Sequence, residues 1–318
     1  MTMPGVRTSR VFLGGAALLL AACGGEGDGV SAAHWDAYGI AESQEDSEFT
    51  PIILNSPLGV GPNRVEVALT DGGARSPAGP VTGQLYRLAD DPDEDSEARV
   101  LHAELSLSPR SIATSGASAS VGSSPTVYIA NVEFDAPGWW GLSLSVDLDG
   151  EHTEGVLVRF WVREHTSEPA VGDPAPRSTQ LTLRDVDDVT EIDSTVLPNP
   201  SFHDLTIAEA LDSGKPVVVA FVTPAFCQTR FCGPVMESVI IPTSEQYGDR
   251  IHVVHVEPFN LASAREGRLE PVAAVQEWGL LQEPFVFIVA QDGTIAAKFE
   301  GIMEAEEVSA VLDALLSE

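Results

Sequence analysis

Val217-Val218-Val219-Ala220-Phe221-Val222-Thr223-Pro224-Ala225-Phe226-Cys227-Gln228-Thr229-Arg230-Phe231-Cys232-Gly233-Pro234 is the stretch on which the reading of this chain turns. Its first part, from Pro216 to Val222, is a continuous apolar run rich in valine, as expected for a strand buried on both faces. Pro234 is a good first residue for a helix. Between them stand Cys227 and Cys232. On a regular helix, residues five apart have Cα atoms roughly 8–9 Å apart and face different ways. A disulfide needs less than about 7 Å. A bond between the two sulfurs therefore requires 228–231 to be a loop. Pro234 permits this by starting the helix just after Cys232. Cys232 would then sit at a helix N-terminus, where the dipole and free amides favour a thiolate, with Arg230 placed to add positive charge.

Outward from this stretch the pattern is α/β. Thr206-Ile207-Ala208-Glu209 has the spacing of a capping box, so a helix is predicted to begin there and to stop near Gly214. Ile251 to Val256 reads as a second buried strand and Val272 to Trp278 as a short helix. Phe285 to Ala290 and Thr294 to Phe299 read as strands joined by Gln291-Asp292-Gly293, a hairpin signal. Val308, Val311, Leu312 and Leu315 fall at i, i+3, i+4 and i+7 and give the last helix one apolar face.

This order resembles the thioredoxin fold. Val217-Val218-Val219-Ala220-Phe221 followed by a cysteine is similar to the strand that delivers the thioredoxin active-site cysteine. Cys232-Gly233-Pro234 resembles part of the Cys-Gly-Pro-Cys motif. Glu283-Pro284-Phe285-Val286-Phe287 with the Asp292-Gly293 turn resembles the segment that holds a cis-proline facing the cysteines. The resemblance covers about 110–140 residues. It implies a redox-active pair, Cys227 and Cys232, bonded when oxidised, with Pro284 cis and catalytic. Two alignments are open. Either Cys227 is the usual first cysteine with two residues inserted before its partner, which the distance from the strand favours, or Cys232 is the usual first cysteine and Cys227 a new partner. Either could be the attacking group. The sequence departs from the family in two places. Val219-Ala220-Phe221 lacks the acid that thioredoxins bury beneath their cysteines, and Phe226 stands where they commonly have Trp. His255 and Glu257, at the end of the next strand, are the candidates for proton transfer; a satisfied core histidine is the plainer reading of His255.

The N-terminus reads as a targeting segment. Arg7 and Arg10 precede an apolar run, Val11 to Leu20, too short to span a bilayer as a stable helix. Leu20-Ala21-Ala22-Cys23 then resembles the lipobox of bacterial lipoproteins, which implies cleavage after residue 22 and acylation of Cys23. With Cys23 consumed, two of the three cysteines remain, and an even count in an oxidising compartment favours a disulfide. The expected organisation is a lipoprotein signal peptide (1–22), a flexible acidic tether (23–48), an all-β domain (49–165), a linker (166–180) and a thioredoxin-like domain (181–318). The location expected is extracytoplasmic, anchored by lipid to a bacterial membrane.

The all-β reading rests on alternation. Val65, Val67 and Leu69 alternate, as do Leu142, Leu144, Val146 and Leu148, and Asp149-Gly150 turns into a return run of Val156, Val158, Phe160 and Val162. Val81–Leu88, Val100–Leu107 and Thr126–Phe134 are further strands. The spacing suggests an immunoglobulin-like sandwich, and Pro137-Gly138-Trp139-Trp140 resembles sandwich domains of exported bacterial proteins. Asp90-Asp91-Pro92-Asp93-Glu94-Asp95 invites a calcium reading, but counted from Asp91 the loop has Ser96 and His102 where Gly and Glu are needed.

Net charge is −31, with 48 acidic against 17 basic residues. This excludes nucleic-acid binding as an expectation, since phosphate neutralisation needs clustered Lys and Arg. The sequence holds no His-Glu-x-x-His, no phosphate-binding Gly-rich loop with Lys and no Gly-x-Ser-x-Gly. Gly59-Val60-Gly61 has Arg64 in place of the third glycine of a dinucleotide fingerprint. Three functions are carried forward. The first is a cell-envelope thiol–disulfide oxidoreductase, acting without a cofactor on protein thiols or disulfides. The second is a Cu(I)-binding or copper-delivery protein using Cys227, Cys232 and His255, since two thiolates and an imidazole suit Cu(I). The third is a scaffold module with no enzymatic activity.

Overall fold

The computed structural model describes residues 49–55, 57–70, 81–89, 99–111, 126–148 and 150–317. The segments expected as signal peptide (1–22) and tether (23–48), Cys23 among them, the acidic run at 90–95 and the Ser-rich stretch after Ser111 lie outside the described residues. No helix among the described residues is long and apolar enough to cross a membrane. What is described is sheet-rich and has two parts.

The N-terminal part has eight strands: β1 (Thr50–Ile53), β2 (Leu58–Gly59), β3 (Gly61–Thr70), β4 (Val81–Leu88), β5 (Arg99–Ser111), β6 (Thr126–Phe134), β7 (Gly138–Leu148) and β8 (Glu151–Arg163). Their order is β1-β3-β6-β5-β4-β7-β8-β2. β5 changes partners along its length: 99–107 pair with β4 and 108–111 with β6. A strand shared in this way turns a corner between two layers. The alternating residues point into one core that holds Val65, Val67, Tyr128, Phe134, Trp140, Leu142, Leu144, Val158 and Val162. The hairpin joining β7 to β8 turns at Gly150, whose φ of +88° an L side chain rarely adopts.

The C-terminal part is a four-stranded sheet of order β10-β9-β11-β12, formed by β9 (Val217–Phe221), β10 (His252–Val256), β11 (Phe285–Val289) and β12 (Ile295–Glu300). β10 runs parallel to β9, and β11 runs antiparallel to both β9 and β12. All five residues of β9 are buried, as its valine run predicts. α1 (Ile207–Leu211) starts at the predicted capping box: Thr206 accepts from the Glu209 amide and the Glu209 carboxylate accepts from the Thr206 amide. After the cysteine loop comes a continuous helical run over 232–247, made of α2 (Cys232–Val235), a π turn (Met236–Ile240) and α3 (Ile241–Tyr247). α4 (Leu261–Arg265) and α5 (Ala273–Glu277) follow, and α6 (Ala305–Ser317) closes the chain. One sheet face packs on the 232–247 run and α6, through Val218, Ala220, Val235, Val239, Val308 and Leu312. The other packs on α1 and α5 through Val219, Phe221, Phe287, Ala210 and Trp278.

The segment expected as a linker is tied to the second sheet. The amides of Gly172 and Ala175 donate to the carbonyls of Ile295 and Gly293, and the Ile295 amide donates to Asp173. Gly279 lies against it at φ +61°, where a Cβ would fall 2.0 Å from the Ser167 carbonyl oxygen. The two parts also share core. Val127 and Ile129 of β6 belong to the apolar cluster of the C-terminal part, while the alternate residues Tyr128 and Ala130 belong to that of the N-terminal part. The Arg64 guanidinium bridges them, donating to Glu66 and, 2.7 Å away, to the Ile302 carbonyl, with Glu307 at 2.9 Å.

Candidate functional site

Cys227 lies in the loop that leaves the end of β9, half-buried, and Cys232 is the first residue of α2, fully buried. Residues 228–231 form a bend and are not helical. Arg230 makes the turn with φ +71°, a left-handed conformation uncommon outside Gly, Asn and Asp. The two cysteines are free thiols in this structure, not the closed bond expected of the oxidised pair. Their sulfurs and a carboxylate oxygen of Glu283 all lie within 4.8 Å of one another.

The contacts converge on Cys227. The Cys232 amide donates to the Cys227 sulfur at 3.2 Å, and the Thr229 hydroxyl lies 3.3 Å from it. The hydrogen bond from the Cys232 thiol, followed by those from Thr229 and the Cys232 amide, outweighs burial and brings Cys227 down from 9.0 to about 5. Burial pushes the Cys232 thiol up, and the neighbouring Cys227 thiolate pushes it further. Of the two attackers left open by the sequence, Cys227 is the one the helix start serves: the Cys232 amide donates to its sulfur, and Cys232 is the donor of the pair. Arg230 is exposed, and the groups that lower Cys227 are hydrogen-bond donors from Cys232 at the helix start and Thr229 in the loop.

Pro284 follows a cis peptide bond and leads directly into β11, which pairs with β9. The preceding residue, Glu283, is buried, and its Oε1 accepts from the Gln228 amide at 2.8 Å. Burial pushes the Glu283 carboxyl up, the Gln228 amide opposes this, and the Cys227 charge raises it further. Its backbone carbonyl lies 3.1 Å from the Thr229 hydroxyl and shares that group's single proton with the Cys227 sulfur. Glu283 was missed as a site residue in the sequence, where it entered only as part of the cis-proline motif. Its contacts with the cysteine loop join residues far apart along the chain, which no local pattern reports.

His255 and Glu257 do not join the sulfurs. His255 is buried, its Nε2–H donates to the Val222 carbonyl at 2.9 Å, and its Nδ1 faces Asp193. Glu257 accepts from the Ser194 amide at 2.7 Å. The copper set of Cys227, Cys232 and His255 is therefore not assembled: the described residues form two separate donor groups, one of Cys227, Cys232 and Glu283 and one of Asp193, His203 and His255. The third donor beside the sulfurs is a hard carboxylate, which suits Cu(I) poorly. The physical reason is the turn carrying His203, which packs on β10 and gives the His255 ring other partners.

No protein-family model matches the chain, and no curated protein does. Among solved structures, the chain is similar to a thiol:disulfide interchange protein of the thioredoxin family from Chlorobium tepidum TLS, at 14% identity and TM-score 0.30, over 46% of this chain and 98% of that one. It is also similar to a superoxide reductase (neelaredoxin) from Ignicoccus hospitalis, at 16% identity and TM-score 0.21, over 38% of this chain and 87% of that one. Likenesses this distant carry no argument about activity, which has to come from the site itself.

Proposed function

We propose that the chain is a thiol–disulfide oxidoreductase of the cell envelope, tethered by a lipid on Cys23, with a thioredoxin-like C-terminal part and an immunoglobulin-like N-terminal part. The order β10-β9-β11-β12, with helices on both faces and the cysteines at the end of β9, supports the first fold name. The grouping of β1-β3-β6 apart from β4-β7-β8, joined by β5, supports the second. The observation that carries the activity is the asymmetric pair: a half-exposed sulfur held as thiolate at about 5, and a buried thiol that donates to it across a non-helical bend.

In the reducing direction the Cys227 thiolate attacks one sulfur of a substrate disulfide R–S–S–R′. The Cys227–S–R bond forms, the substrate S–S bond breaks, and R′S⁻ leaves and takes a proton from water. Cys232 then gives its proton to the Glu283 carboxylate and attacks the Cys227 sulfur. The Cys227–Cys232 bond forms, and RS⁻ leaves and is protonated from Glu283. The substrate gains two electrons and the dithiol loses two; the reverse course oxidises a substrate dithiol. Pro284, beside the sulfurs, presents backbone for pairing with an extended substrate. Val196 and Leu197 are exposed in the loop that Ser194 joins to the cysteine loop through the Ala225 amide, which suits a protein substrate with apolar side chains.

The test is trapping. Cys232→Ser should accumulate a mixed disulfide with an oxidised protein substrate such as insulin, and Cys227→Ser should form none. If both variants turn over like the parent, the pair is not the site. If the parent exchanges nothing and the double serine variant loses only stability, the scaffold reading stands.

A further inference from the structure

Behind the cysteine loop, three elements bring Asp193, His203 and His255 together. Asp193 follows a short 3-10 turn (Val189–Glu191), His203 ends a second one (Pro200–His203), and His255 lies on β10. Their side chains are 1%, 1% and 0% exposed. Asp193 Oδ2 is 3.0 Å from His203 Nε2 and 3.5 Å from His255 Nδ1, and all three ligand atoms fall within 4.8 Å of one another.

We propose that Asp193, His203 and His255 bind one divalent first-row transition-metal ion, with Zn²⁺ the best fit, at a site separate from the cysteine pair. Tetrahedral Zn²⁺ with bonds of about 2.0–2.1 Å sets its ligand atoms about 3.3 Å apart. The two distances to Asp193 Oδ2 stand on either side of that spacing. His203 and Asp193 are joined at 3.0 Å, and His255 approaches the same carboxylate oxygen at 3.5 Å. The His255 Nε2–H is committed to the Val222 carbonyl, so Nδ1 is the ring atom that faces Asp193 Oδ2, at 3.5 Å and without a hydrogen bond of ordinary geometry. In the neutral ring the Nδ1 lone pair faces Oδ2, and a cation between them takes the place of the proton that otherwise pairs the two groups.

The surroundings match those of a built metal site. The carbonyl that takes the distal N–H of His255 fixes its ring. Asp193 Oδ1 accepts from the Thr195 amide at 2.8 Å and the Thr195 hydroxyl at 2.6 Å, which leaves Oδ2 to face the rings. Outer-shell bonds of both kinds orient ligands at metal centres. A cleft of about 680 Å³ is lined by His203, His255 and Glu257 and so adjoins two of the three ligands. Two histidines and a carboxylate with no thiolate favour Zn²⁺, Fe²⁺ or Co²⁺ over Cu(I). The ion would clamp the segment before α1, which carries only short turns, onto β10 and onto the strand end that leads to Cys227.

The experiment uses the chain with Cys227→Ser and Cys232→Ser, which removes the competing thiolates, stripped with a chelator and titrated with Co²⁺ and then Zn²⁺. The expected result is one equivalent of Co²⁺ with the visible bands of a tetrahedral nitrogen–oxygen site, displaced by Zn²⁺. Adding His203→Gln should weaken binding by about 100-fold or more, since losing an outer-shell partner alone costs about 10–100-fold, with an unchanged far-ultraviolet spectrum. Asp193→Asn should do the same. If these variants fail to fold, X-ray absorption on the zinc-loaded double serine chain decides instead, with two imidazoles and no sulfur expected. Absence of stoichiometric binding to the double serine chain, binding unaltered by His203→Gln in a folded protein, or a zinc shell without two imidazoles would each overturn the proposal.

Discussion

At the scale of single residues, the site divides its labour between two sulfurs. Cys227 is held at about 5 by donors, and Cys232 is raised by burial. The rate of iodoacetamide modification of the reduced protein should therefore rise with pH through a midpoint near 5 and then level off. Only Cys227 should be labelled; a midpoint near that of an ordinary thiol would refute the thiolate. The linkage has a definite sign. A folded value below the ordinary one adds stability to the dithiol form, present above the ordinary thiol value and lost as pH falls through about 5. Glu283→Gln should leave labelling of Cys227 near its parental rate and slow release from the mixed disulfide by about 10²-fold or more, the lower range for general acid–base catalysis. Stopped-flow release kinetics check this, and an unchanged release rate would remove Glu283 from the mechanism. The closeness of Cys227 and Cys232 and the cis bond before Pro284 were legible in the sequence because these residues sit in contiguous motifs. Glu283 acts through contacts with a loop distant in sequence and was not.

At the scale of elements, local rules predict what local forces build. β9, the helix start beside Pro234, the capping box at Thr206 and the apolar face of α6 all follow from spacing between near neighbours in sequence. Thr206→Ala should cost about 1 kcal/mol in urea unfolding by leaving the helix start without its acceptor. The bend at 228–231 shows where a single backbone angle decides. Arg230 has φ +71°, so Arg230→Gly should leave stability unchanged or raise it slightly, whereas the branched Arg230→Val should lower it by about 1–2 kcal/mol. Equal unfolding midpoints for the two variants would argue against the left-handed turn. The short turns before α1 and the convergence of Asp193 with His203 and His255 had no signal in the sequence. They have no hydrophobic period, and their partners come from three separated segments.

At the scale of the whole molecule, the two parts meet over buried carboxylates. Burial lifts Glu66 to about 7 in spite of Arg64, and burial lifts Glu300 to about 8, helped by Glu66 and Glu168 and opposed by Lys298 and Arg64. Both folded values lie above the ordinary 4.5, so the folded protein holds protons that the unfolded chain releases. Their contribution is intact below the ordinary value and is lost as pH rises through about 7 to 8. Melting temperature should therefore fall from about pH 5 to about pH 8.5, and Glu300→Gln should flatten the slope; an unchanged slope would mean that this contact does not titrate.

The most direct test of the redox assignment is the reduction potential of the Cys227–Cys232 pair, measured by equilibration with glutathione. A working pair should equilibrate fully and lie above about −300 mV, because the thiolate at Cys227 stabilises the dithiol form. A value below that, or a pair that never closes in an oxidising buffer, would contradict the account.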